Sequence, residues 1–197
     1  LLAIEAERLA TEVVREAESR VRGLPPDWGT ELRVMLVLSD DLGGMWTHRP
    51  TSELKTRVGQ RALLSRRWVA PIFWTSDTPT AEGVRTTTLA AIYRGLYQIA
   101  YGPPRAVAGL LQQERRALAF AGAGKALPPA EEAVLRDAVT PYLDARDDGT
   151  RLAVLLGDAP AVALGYDARG IPERGGLRLA ASEALRERDP IASLLAG

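Results

Sequence analysis

The feature that most constrains this chain is a long apolar stretch fenced by proline and glycine. Thr78-Pro79 reads as an N-cap followed by proline at the first helical position, and Gly102-Pro103-Pro104 stops whatever lies between. From Leu89 to Tyr101 the sequence is apolar nearly all round, interrupted by Arg94 and Gln98. Such a helix has no broad face to offer water. It predicts a central, buried helix over 79–101 against which the rest of the chain packs.

Further helices are read from periodicity and punctuation. Ala6, Leu9, Ala10, Val13, Ala17 and Val21 form one stripe of a helix over about 2–22, ended by Gly23 and Pro25-Pro26. Another runs over about 104–121 and closes at Gly122-Ala123-Gly124. A third starts near Pro129 and is kinked or broken at Pro141. The last spans about Leu177 to Arg188.

Strands are expected in three places. Leu32 to Leu38 is apolar on both alternations apart from Arg33, which predicts a strand covered on both faces. Residues 68–75 predict a second, pushed to an edge or turned so that the Pro71 nitrogen faces outward, because Pro71 cannot donate to a ladder. A helix between Ser52 and Arg66 would make the connection a parallel crossover. Leu152 to Leu156 and Ala161 to Leu164 flank Gly157-Asp158-Ala159-Pro160, which predicts an antiparallel hairpin over 152–166. The fold class expected is therefore α+β. It has a mixed sheet of about four strands, including that C-terminal antiparallel hairpin, packed with five or six helices in one compact domain over 1–197.

Composition excludes several classes of function. Lys and Arg balance Asp and Glu at 25 each, which argues against a nucleic-acid coat or a polybasic membrane binder. No apolar run reaches the ~20 residues of a membrane span, and the opening amphipathic helix is unlike a signal peptide. A soluble, cytoplasmic protein with neither nucleic acid nor membrane as partner is the expectation. The chain has no cysteine, so disulfides, thiolate metal sites and cysteine nucleophiles are out. With one histidine, a multi-histidine metal centre is out as well, and no metal or cofactor is expected. No serine sits in a Gly-x-Ser-x-Gly elbow. Gly122-Ala123-Gly124-Lys125-Ala126 falls short of a phosphate loop, because Ala119 stands where the first glycine belongs and Ala126 where Ser or Thr would bind magnesium.

One segment gathers polar chemistry. Ser39-Asp40-Asp41-Leu42-Gly43-Gly44-Met45-Trp46-Thr47-His48-Arg49 leaves the C-terminal end of the first strand, where open α/β sheets place ligands. Asp40, Asp41 and His48 are the candidate catalytic residues. Trp46 and Arg49 are candidate ligand contacts, together with Tyr93 and Tyr97, which share a helix face with Tyr101. Each has a simpler account. Adjacent aspartates on an extended strand point to opposite faces, and a polar turn capped by Asp and eased by Gly needs no site. A lone histidine is more often structural, and tyrosines pack well with their hydroxyls at a rim.

The run 49–67 is basic and 131–148 is acidic, as if two surfaces neutralised each other within a chain or between subunits. The favoured function is a binding or protein-interaction domain without chemistry of its own, its partners a small anionic ligand or further copies in a homo-oligomer. The alternative is a hydrolase-like enzyme or anion binder using 39–53. There Asp40 or Asp41 is base or Mg²⁺ ligand, His48 the proton shuttle and Arg49 the anion clamp.

Overall fold

The computed structural model describes residues 1–25, 31–43 and 47–196. Ten α-helices and four very short strands follow in the order α1 (Ala6–Val21), β1 (Arg33–Val34), β2 (Val37–Ser39), α2 (Arg49–Val58), α3 (Arg61–Leu64), β3 (Trp68–Val69), β4 (Ile72–Trp74), α4 (Ala81–Tyr101), α5 (Val107–Ala121), α6 (Pro129–Val139), α7 (Asp148–Leu156), α8 (Asp158–Ala163), α9 (Gly175–Ala184) and α10 (Pro190–Ala196) among the described residues. Helix dominates, and the expected four-stranded mixed sheet is absent among them.

The long apolar helix is where the sequence puts it. α4 begins two residues later than the Thr78-Pro79 signal, because Thr80 is the residue whose side chain accepts from the Gly83 N–H. It buries Leu89, Ile92, Tyr93, Leu96 and Tyr97 between α1 on one side and α5 on the other. α5 in turn carries α9, and α9 leans on α6 and α7. Gly95 lets β3 come close, since a Cβ there would sit 2.6 Å from Val69 Cγ1.

The strands form one parallel ribbon. β1 pairs with β3 and β2 with β4, and the register does not slip between the two pairs. Pro71 explains the gap, because it has no N–H to donate to the Met35 carbonyl, although its own carbonyl still accepts from the Val37 N–H at 3.0 Å. The crossover between the strands contains α2 and α3, as the spacing predicts. Full coverage of the first strand does not occur. None of residues 33–39 is buried, and Leu38 is 57% exposed. Only two strands wide, the ribbon packs part of its inner side on α1 and α4 and leaves its outer edge open.

The hairpin is replaced by two helices. Asp147 caps α7 by accepting from the Thr150 N–H at 2.8 Å, and every residue from Gly149 to Gly157 is buried. A helix buried all round and a strand buried on both faces leave the same continuous apolar run, so periodicity cannot separate them. The turn signal at Gly157 is a helix junction. Its φ of 102° lies in the region glycine favours, and a Cβ would meet the Pro172 carbonyl oxygen at 2.9 Å. The tail after Pro190 forms α10. Pro141 sits in a short 3₁₀ turn just after α6 ends.

No helix among the described residues is long and apolar enough to cross a membrane.

Candidate anion-binding site

The polar segment at the end of the first strand is tied down by its own hydrogen bonds. Asp40 accepts from the Leu42 N–H at 3.0 Å, the Gly43 N–H at 3.3 Å and the Thr75 hydroxyl at 2.8 Å. The Thr75 contact, followed by the two backbone donors, lowers its pKa. Asp41 accepts from the Ser76 hydroxyl at 2.6 Å and the Ser76 N–H at 3.0 Å. The Ser76 hydroxyl does most to hold the Asp41 carboxyl at about 2. The two aspartates therefore staple the loop after β2 to the loop after β4. Both are committed anions, and neither is poised to exchange a proton near neutral pH.

His48 is the N-cap of α2. Its Nδ1 accepts from the Thr51 N–H at 3.4 Å and lies 2.9 Å from the Thr51 hydroxyl, with the ring exposed. Arg49 points the other way, inward. Its guanidinium donates to Glu53 at 2.9 Å, to Asp41 at 3.2 Å, to Ser76 at 2.9 Å and to both oxygens of Asp77 at 2.8 and 3.0 Å. It also lies 5.2 Å from the centre of the Trp74 ring. Trp46 lies outside the described residues. Tyr93 and Tyr97 face elsewhere. The Tyr93 hydroxyl donates to the Pro190 carbonyl at 2.7 Å under α10, and that of Tyr97 donates to Gln112 at 3.1 Å. Of the expected site residues, Arg49 lines the main cleft. Asp41 touches it only through Arg49, while Asp40, His48, Tyr93 and Tyr97 stand away from it.

Apart from Arg49, that cleft is built from residues outside the expected site set. It runs between α2, the ribbon, α4, α5 and α9 as two joined cavities of about 270 and 570 Å³, which share Arg57, Arg94, Leu118 and Arg174. At its floor lies Glu114, fully buried in α5. Arg94 donates to its two oxygens at 2.7 and 2.8 Å, and Arg57 to one of them at 3.0 Å. Burial pushes the Glu114 carboxyl up, but Arg94 and Arg57 outweigh it and hold it at about 2. Burial also lowers the pKa of Arg57. Gln98 and Gln113 complete the floor, each donating to the Arg57 carbonyl at 3.0 and 2.9 Å.

A second buried carboxylate, Glu53 on α2, faces the same cleft. Arg174 grips it with two nitrogens at 3.3 and 3.0 Å, across 121 residues of chain. Burial works against the Glu53 charge, yet Arg57, Arg174 and Arg49 keep its pKa lowered. Arg174 is the N-cap of α9 and has a φ of 52°, a left-handed conformation that costs a non-glycine residue about 1–2 kcal/mol.

Lys125 and Arg178 stand at the α9 end of the cleft. Arg178 pairs with Glu131, whereas the Lys125 ammonium has no partner among the described residues. The clue in the sequence was the pair Arg94 and Gln98, polar residues in an otherwise apolar helix. The basic run 49–67 and the acidic run 131–148 do not pair with each other among the described residues. Arg57 turns to Glu114, and Glu131 and Glu132 turn to Arg178 and Arg186. No three His, Asp or Glu side chains among the described residues gather as a metal ion would need. Compared with known proteins, the chain matches no family, no curated sequence and no solved structure.

Proposed function

We propose that this protein binds a small anionic molecule in the cleft between α2, α4, α5 and α9. One observation carries the reading. At the α9 end, Arg57, Arg94, Arg174, Arg178 and Lys125 line a single cavity against only Glu114 and Glu131. Even with Glu53 counted from the adjoining cavity, positive charge is in excess. Burying guanidinium groups is costly unless they are paired. A surplus of them around open space is eased by an incoming anion, and arginine's planar fork suits carboxylate or phosphate. The joint cavity also falls within the roughly 300–1,000 Å³ usual for ligand sites.

A hydrolase acting through 39–53 has less behind it. It needs Asp40 or Asp41 free to take a proton and His48 facing the same space. The aspartates are engaged in holding two loops together, and His48 caps a helix on the outside.

Thermal shift and titration calorimetry with phosphate, sulfate and small carboxylates test the binding. Lys125 is exposed and unpartnered among the described residues, so Lys125→Ala should leave the fold intact while weakening anion binding about tenfold, the loss expected for one charge-assisted hydrogen bond. Arg188→Ala, in the exposed turn before α10, should leave binding unchanged. Equal responses from the two variants would remove the basis of the reading.

A further inference from the structure

We infer that the anion is a monocarboxylate with an aliphatic body, its head on the free edge of Arg94 and its chain in the larger cavity beside α9. This rests on the anion-binding reading above and adds the chemical class. The head group follows from hydrogen-bonding capacity. Arg94 spends one edge of its guanidinium on Glu114, through Nε at 2.7 Å and Nη2 at 2.8 Å. A guanidinium carries five N–H groups, so Nη1 and the second hydrogen of Nη2 form another fork. Nη1 of Arg94 has no partner among the described residues. Arg57 is in a similar state, with Nε on Glu114 and Nη1 on the Glu53 carbonyl, which leaves Nη2. Neither of these unpartnered nitrogens is enclosed, and both arginines line the larger cavity. Lys125 adds a third donor there.

The acceptors nearby are full. One Glu114 oxygen takes Arg94 Nε and the Gln113 amide, and the other takes Arg57 Nε and Arg94 Nη2. The head group must therefore be one that accepts, and a planar fork takes the two oxygens of a carboxylate in parallel.

The body follows from the walls. Toward the ribbon the cleft is polar, lined by Thr56, Gln60, Asp77, Thr86 and Thr87, with Arg49 over the Trp74 ring. Toward α9 the walls turn apolar: Leu118 of α5, Leu127 and Pro128 before α6, and Leu177 and Ala181 of α9. Leu118, Leu127 and Ala181 are only half-buried, so each keeps apolar surface facing open space. An alkyl chain leaving the Arg94 fork toward α9 covers that surface. A phosphate there would bring a second charge to be desolvated beside leucine, at greater cost.

Calorimetry on the full chain with acetate, butyrate, hexanoate and inorganic phosphate tests this. Each added pair of methylenes is expected to tighten binding about tenfold, the gain from burying two CH₂ groups. Hexanoate should also bind more tightly than phosphate. Leu118→Ala removes part of the apolar wall, and Ala181→Leu fills the space beside it. In either variant the ratio of hexanoate to acetate affinity should shrink at least about threefold. The probe series on the native chain decides the matter even if both variants fail to fold. The inference is overturned if affinity is flat from acetate to hexanoate, if phosphate binds more tightly than hexanoate, or if the ratio survives in a folded variant. Binding of none of the four probes would instead bring down the anion-binding reading itself.

Discussion

Two clusters of arginine and carboxylate lie at the two ends of α2, and they differ in how much water they keep. Around Arg49 the partners are Asp41, Asp77 and Glu53, and Asp77 is 54% exposed. Around Glu114 the partners are Arg57 and Arg94, and the carboxylate has no exposure at all. At the rim, a charge that loses its partner falls back on solvent. In the interior it cannot, so each charge depends on the others remaining. The rim cluster works as a clip between loops. The interior cluster fixes guanidinium groups in place with hydrogens to spare, the feature on which the proposed anion site rests.

That contrast can be broken by removing one carboxylate from each cluster. Glu114→Gln should be the most damaging, at about 3–5 kcal/mol in denaturant unfolding, because it takes the shared counter-charge from two nearly buried arginines, Arg57 and Arg94. A loss below about 1 kcal/mol would mean that water reaches Glu114 after all. The same variant gives a pH signature. The Glu114 carboxyl is held at about 2 in the folded protein against an ordinary 4.5, so its stabilising contribution is complete above pH 4.5 and is lost as pH falls toward 2. The stability gap between native protein and Glu114→Gln should therefore be wide at neutral pH and close across that window. At the rim, Asp77→Ala should cost at most about 1 kcal/mol, and less in 1 M NaCl, where exposed charges are screened. Stability measured with and without salt sharpens the distinction, since the interior cluster should respond little. The smallest effect expected is that of His48→Ala. Losing one side-chain cap should cost about 1 kcal/mol or less and leave anion affinity as it was. A large loss of affinity in that variant would return His48 to the site.

Much of the fold was legible where local chemistry and packing agree. α4 could be read from its proline and glycine fences and from the lack of a polar face, and a parallel crossover from two apolar runs with a helical stretch between them, although the mixed sheet expected around them is absent among the described residues. The 152–166 region was misread for a physical reason. When an element is buried on every side, alternation of period two and of 3.6 both vanish, and only Asp147 and its Thr150 contact mark a helix start. The site was harder still. Asp40, Asp41 and His48 drew notice because they cluster in sequence, but local clustering is what turns and caps produce. Glu53, Arg57, Arg94, Glu114, Lys125 and Arg174 are scattered over α2, α4, α5 and the approaches to α9. Only tertiary packing brings them together, and only Arg94 left a trace, as a charge on an apolar helix.

Arg174 carries one more consequence. At its left-handed backbone position glycine would be the more comfortable residue, relieving the main chain while surrendering the grip on Glu53. Stability and site geometry therefore pull in opposite directions at a single codon. A library screened for heat resistance alone should drift toward glycine there, whereas one screened for ligand retention should keep arginine. Position 174 would then report which of the two pressures a given selection applies.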